Sequence, residues 1–233
     1  MIIFFETLYD ELEKEGRLVL PNSNTPTFYI FNLNARRALV LPTLKYGPES
    51  DPDYGLEDAL FLKQIATIHI ITSLEAYYQD ILRLVSSQLR AADVNTGALV
   101  NFIKTNRLST EFFQIFREKN MDFCLLELMP VHFPLQDKDK IRASMQLLGL
   151  DPVGQFGKEW NRTYGKDALA TVQLRHAFVH KGSDLEKAII VSRNSIKERI
   201  KDAVVLVCNI EEQIVKKYPK MVSLRPRPAR KDA

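Results

Sequence analysis

The stretch LEDALFLKQIATIHIITSLEAYYQDILRLVSSQLRAAD, Leu56 to Asp93, holds neither glycine nor proline and repeats apolar residues at helical spacing. Ile68, Ile71, Tyr78, Leu82, Val85 and Leu89 follow the i, i+3, i+4, i+7 rule, which predicts one long amphipathic helix. Glu75 interrupts that stripe: it lies four residues after Ile71, three before Tyr78 and seven before Leu82. A carboxylate facing a core is costly unless a cation or hydrogen-bond donors meet it. Two readings stand for it: a structural buried ion pair or rim acid, and an acid that belongs to an active site.

Downstream the pattern stays helical in shorter pieces. ALVNFIKT and STEFFQIFREKN read as helices, the second opened by Ser109 and Thr110 as caps, and MDFCLLELM stops at Pro130. DKDKIRASMQLLGL has acids at its start and Gly149 near its end. DPVGQFGKEWNRTYG reads as a loop with one turn of helix. KDALATVQLRHAFVHKG and SRNSIKERIKDAVVLVCNIEEQIVKKYP complete the set, the latter with Ile196, Ile200, Val204, Val207 and Ile214 on one face.

Upstream the signals mix. FFETLYDELEKEG suits a short amphipathic helix, but five prolines follow, from Pro21 to Pro52. TFYIFNLN and RALVLPTL fit a short strand or a helix segment equally, since periodicity cannot separate the two at that length. The expected organisation is therefore an irregular, mixed appendage over 1–55, an all-α helical domain over 56–219, and a basic, proline-rich tail over 220–233 that is expected to be disordered.

Composition narrows the class. A hydrophobic share of 45% with 26% charged residues is that of an ordinary globular protein and excludes a disordered or membrane chain. The densest apolar run, QIATIHIITSL, is about half the ~20 residues a spanning helix needs. The N-terminus lacks the basic first segment of a signal peptide, so a cytoplasmic location is expected. Cys124 and Cys208 lie far apart without CxxC spacing and read as buried thiols. A formal charge of +3 is too small to announce a nucleic-acid binder by itself.

The chemistry gathers in LRHAFVHKG, Leu174 to Gly182, which holds two of the four histidines with Arg175 and Lys181. Arg175 and His180 are five residues apart, about 140° around a regular helix, so they share a face only if His180 occupies a fraying last turn before Gly182. His176 and His180 are i, i+4, a spacing that can hold a metal from one helix face. No HExxH acid and no third ligand accompany them, so no metal is expected. His69 and His132 read as core or loop residues, and Arg225, Arg227 and Arg230 of the tail as cations able to assist binding.

RHAFVH resembles the R-x4-H motif of the HEPN superfamily of all-helical nucleotide-binding and ribonuclease domains, in which Asn, Asp or His often follows the arginine, here His176. TSLEAYYQDILRL is similar to the long helix that precedes the motif in prokaryotic members, with an acid near the position of Glu75. The resemblance spans roughly 56–219. It implies an antiparallel helical bundle and a metal-independent, cofactor-free endoribonuclease that works through the RNA 2′-hydroxyl. In it His180 would handle the proton, Arg175 would bind the phosphate, Glu75 would orient Arg175 or tune the histidine, and His176 and Lys181 would contact RNA phosphates. The resemblance further implies a homodimer, a toxin–antitoxin or antiviral-defence setting, and an antitoxin or regulatory protein as partner. A non-catalytic module that binds a nucleotide or protein is the alternative, and a metal-dependent hydrolase a third.

Overall fold

The computed structural model describes residues 2–17, 25–43, 52–86, 94–107, 137–180 and 193–221, and every regular element among them is helical. These are α1 (Ile2–Lys14), α2 (Pro26–Val40) with a 3-10 turn at Leu41–Thr43, α3 (Pro52–Ser86) and α4 (Thr96–Asn106). There follow α5 (Lys138–Leu147), α6 (Gly157–Tyr164), α7 (Thr171–His180), α8 (Arg193–Lys217) and a closing 3-10 turn at Pro219–Met221. The fold of the described residues is all-α, as expected. None of these helices is long and apolar enough to cross a membrane.

The prolines of the N-terminal part start structure more than they interrupt it. Pro26 opens α2 and Pro52 opens α3, the first helical position, where proline's missing N–H leaves nothing unpaired. TFYIFNLN and the start of RALVLPTL join in the single helix α2, because Phe28, Phe31, Ala35 and Ala38 all fall on one buried face. The long helix begins at Pro52, four residues before the predicted start. The DPVGQFGKEWNRTYG segment holds more helix than predicted: α6 makes eight residues of it, with Glu159, Trp160, Thr163 and Tyr164 buried. Trp160 and Tyr164 stack one turn apart, ring centroids 4.8 Å.

The chain divides into two compact units. The first comprises Met1–Leu20, Tyr29–Leu74 and Phe156–Cys208; the second comprises Pro21–Phe28, Glu75–Gln155 and Asn209–Ala233. In the first, α8 contributes a continuously buried stretch from Ile200 to Cys208, with Cys208 a buried thiol. That stretch includes Lys201 and Asp202, which the predicted one-faced stripe does not anticipate.

In the second unit α4 packs on α5, Phe102 and Ile103 of the former and Ile141, Met145 and Leu147 of the latter being buried. Asp137 caps α5 by accepting hydrogen bonds from the backbone N–H of Asp139 (2.8 Å) and Lys140 (3.3 Å). At its other end Gly149 takes φ 68°, which lets Leu150 N–H reach back to Met145 O at 2.9 Å. Tyr77, Tyr78, Ile81, Leu82 and Val85 of α3 complete the apolar interior.

The helices expected over Ser109–Asn120 and Met121–Met129 lie outside the described residues, as do Leu89, Cys124, His132, Lys181, Gly182 and the basic tail with Arg225, Arg227 and Arg230.

Candidate functional site

On α7 the sequence partitions cleanly by helical phase. Thr171, Val172, Leu174, Ala177 and Phe178 are buried, whereas Gln173, His176, Val179 and His180 are exposed. Arg175 is half-buried between these two sets. The helix keeps α geometry through His180, so the last turn does not fray inward as the R-x4-H spacing invites. His180 therefore faces solvent with His176, one turn back, their ring centroids 4.4 Å apart and tilted by 51°. Five residues of regular helix place Arg175 about 140° away around the axis. The structure thus brings His176 and His180 together and sets Arg175 on a different side of the same helix.

Either imidazole can donate or accept a proton, and both are open to a substrate. Glu75, half-buried on α3, belongs to the second unit, and α7 to the first. His69 is half-buried on α3 and hydrogen-bonded to the backbone of Asn34; burial and the nearby Arg37 charge lower its pKa, so it is neutral at pH 7.

Two acids that the sequence reading did not single out are more deeply placed. Asp202 of α8, in the first unit, is 1% exposed and accepts from Arg17 Nη2 at 2.7 Å and from Arg162 Nη2. Glu159 also lies 3.2 Å from Arg17 Nη2. Burial outweighs both guanidiniums and pushes the Asp202 carboxyl up to about 6. Beside it, Lys201 meets Glu15 (2.7 Å), Glu11 (3.1 Å) and Glu198 (3.2 Å). Against burial, which works the other way, these carboxylates raise its pKa above the ordinary lysine value.

In the second unit Glu211 is fully buried and, among the described residues, is met by neutral donors alone. Thr25 gives its backbone N–H (2.8 Å) and hydroxyl (2.7 Å), and Tyr77 its hydroxyl (2.7 Å). Burial raises its pKa, and these three hydrogen bonds oppose the rise.

Among the described residues no group of three His, Cys, Asp or Glu side chains is arranged to hold a metal ion. Comparison with curated proteins finds no match, nor does comparison with solved structures. A family model does match: RiboL-PSP-HEPN, over residues 43–216, well over half of the chain. The matched span runs from the turn before α3 to the last turn of α8, and the chain accordingly belongs to the RiboL-PSP-HEPN family, within the HEPN superfamily.

Proposed function

We propose that the protein is a metal-independent endoribonuclease whose working residues are Arg175 and His180 on α7. The observation that carries this reading is the exposed His176–His180 pair, seated on a helix whose opposite face is anchored in the core, in a chain of HEPN membership. A reaction through the RNA 2′-hydroxyl needs a group that exchanges protons near neutral pH and a fixed cation for the phosphate that gains charge. His180 meets the first need as an exposed imidazole. Arg175 meets the second, since a guanidinium stays charged even when half-buried and can bind phosphate oxygens in bidentate fashion. His176 stands beside His180 as an accessory contact, with Lys181 following in sequence. Glu75 is the acid that the family resemblance adds to this set. Cleavage leaves a 2′,3′-cyclic phosphate and a 5′-hydroxyl.

The divergence of Arg175 and His180 around α7 gives the site a quaternary requirement. A two-fold pairing of chains would present one chain's arginine and the other's histidine to the same phosphate. We therefore propose a homodimer, in a toxin or defence setting with an antitoxin-like regulator as partner. The same divergence favours one second reading: a non-catalytic module that binds a nucleotide or a protein through the exposed face of α7.

Incubation of the purified chain with RNA in EDTA separates these readings. Cleavage by the wild type, lost in Arg175→Ala and in His180→Ala while thermal unfolding is unchanged, is the expected result. RNA left intact by the wild type, or cut equally by the two variants, overturns catalysis at this motif. Sedimentation at micromolar concentration should show a dimer; a wholly monomeric but active protein overturns the shared-site arrangement.

A further inference from the structure

The first unit contains a cavity of about 620 Å³ whose walls come from α6, the turn that leads into α7, and the start of α8. It lies at the opposite end of α7 from His180, and ten helical residues separate the two by about 15 Å. Three cations line it: Lys158 and Arg162 from α6 and Arg199 from α8. Three acids line it as well, and each is already engaged: Asp167 accepts from Leu169 N–H (2.8 Å), and Asp202 and Glu198 meet cations. Asp202 is held by Arg17 and Arg162, and Glu198 by Arg17 (3.4 Å) and Lys201 (3.2 Å).

The cations, in contrast, keep donors in hand. Arg199 commits Nη1 to Leu169 O (2.8 Å) and Thr171 Oγ1 (2.9 Å), which fixes its plane while Nη2 has no partner among the described residues. Arg162 commits Nη2 to Asp202, and its Nη1 is likewise unpartnered among them. Lys158 is exposed and makes no ion pair among them. A pair of partly immobilised guanidiniums with a lysine at the rim is a donor set for a compact, multiply charged oxyanion. The volume exceeds what a bare phosphate fills and lies within the usual ~300–1,000 Å³ of small-molecule sites. Leu169, 43% exposed on the same wall, offers apolar surface to an organic body.

We propose that this cavity binds a small organic phosphate monoester, its phosphate on Arg199, Arg162 and Lys158 and its organic part against Leu169. The site stands apart from α7's histidines and does not depend on the ribonuclease reading.

Calorimetric titration of the full chain with phenyl phosphate, and in parallel with inorganic phosphate, tests it. Phenyl phosphate should bind saturably and more tightly than inorganic phosphate, and Lys158→Glu should weaken it by about tenfold or more. Arg199→Gln should abolish binding; because Arg199 also ties the α6–α7 turn, its unfolding curve is measured alongside, and Lys158→Glu carries the test if that variant does not fold. His180→Ala should bind phenyl phosphate like the wild type whether or not the wild type cuts RNA, which keeps the two proposals separable. Absence of saturable binding of either probe at millimolar concentration, or a Lys158→Glu affinity equal to wild type, overturns the assignment.

Discussion

Glu211 has no exposed surface and, among the described residues, no cation in its hydrogen-bond set, where three donors meet it, two from Thr25 and one from Tyr77. Thr25 Oγ1 in turn accepts from Phe28 N–H at 3.2 Å, so the carboxylate steadies the residue that caps α2. Glu211→Ala should destabilise the protein by about 3 kcal/mol or more, because three buried donors lose their acceptor at once. Glu211→Gln keeps an acceptor oxygen and discards the buried charge, and should stay within about 1 kcal/mol of wild type at pH 7. Urea midpoints read both; equal losses in the two variants would show that the charge and not the hydrogen-bond set matters. The sequence reading passes over this residue, although a signal for it is present. Glu211 sits four after Val207 and three before Ile214, the same intrusion into an apolar stripe that singles out Glu75. Glu75 is the acid that the sequence singles out for its place in the stripe, yet the structure leaves Glu75 half-buried and Glu211 wholly so. Asp202 was not legible that way: it falls off the stripe of Ile196, Ile200 and Val204, and is buried because α8 is enclosed on every side there.

Among the elements, α3, α4, α5, α7 and α8 are helices where helices are expected, and α6 is longer than expected. Asp137 and Gly149 bracket α5 as the acids and glycine of DKDKIRASMQLLGL indicate, and the cap is a real contributor. Asp137→Ala should cost about 1 kcal/mol by thermal unfolding, since two backbone N–H groups lose their acceptor. Asn95→Ala at the start of α4, with one such bond to Ala98 N–H (3.0 Å), should cost no more than that. A loss at Asp137 well below that at Asn95 would show that the cap geometry does not set the energetics. α6 was masked in the sequence by Gly154 and Gly157, which read as loop punctuation. Its helical evidence is only Trp160 and Tyr164 at i, i+4, too short a run for periodicity to decide. For α7 the sequence predicts a helix over KDALATVQLRHAFVHKG, of which Thr171–His180 is helical, and leaves open whether His180 sits in a fraying last turn. Whether that turn frays depends on how the helix end packs, which spacing alone does not encode.

At the scale of the whole molecule, the buried acids impose a pH dependence with a definite sign. Asp202 is raised from 3.8 to about 6, so between those values the folded chain holds a proton that the unfolded chain has released. Its contribution to stability is therefore largest below about pH 4 and declines as pH rises to about 6, after which it is constant. Glu211 is raised too and adds in the same direction above its ordinary value of 4.5. Other groups pull the opposite way. Glu11 and Glu15 are lowered, chiefly by hydrogen bonds from Lys197 and Lys201 respectively, so their support is present above pH 4.5 and fades as pH falls through their folded values. Glu15 is exposed and Glu11 partly so, and the amount is small. His69, lowered by burial, loses stability as pH falls below 6.5. The total profile mixes these, but the stability of wild type minus that of Asp202→Asn isolates the aspartate, since asparagine keeps an acceptor for Arg17 and Arg162 without a titrating proton. That difference should fall by about 3 kcal/mol between pH 4 and 6 and remain flat to pH 8, measured from urea unfolding at each pH. A difference that instead grows with pH would mean that Arg17 and Arg162 dominate burial, that Asp202 is ionised throughout, and that the cluster behind the cavity is held together by its charge.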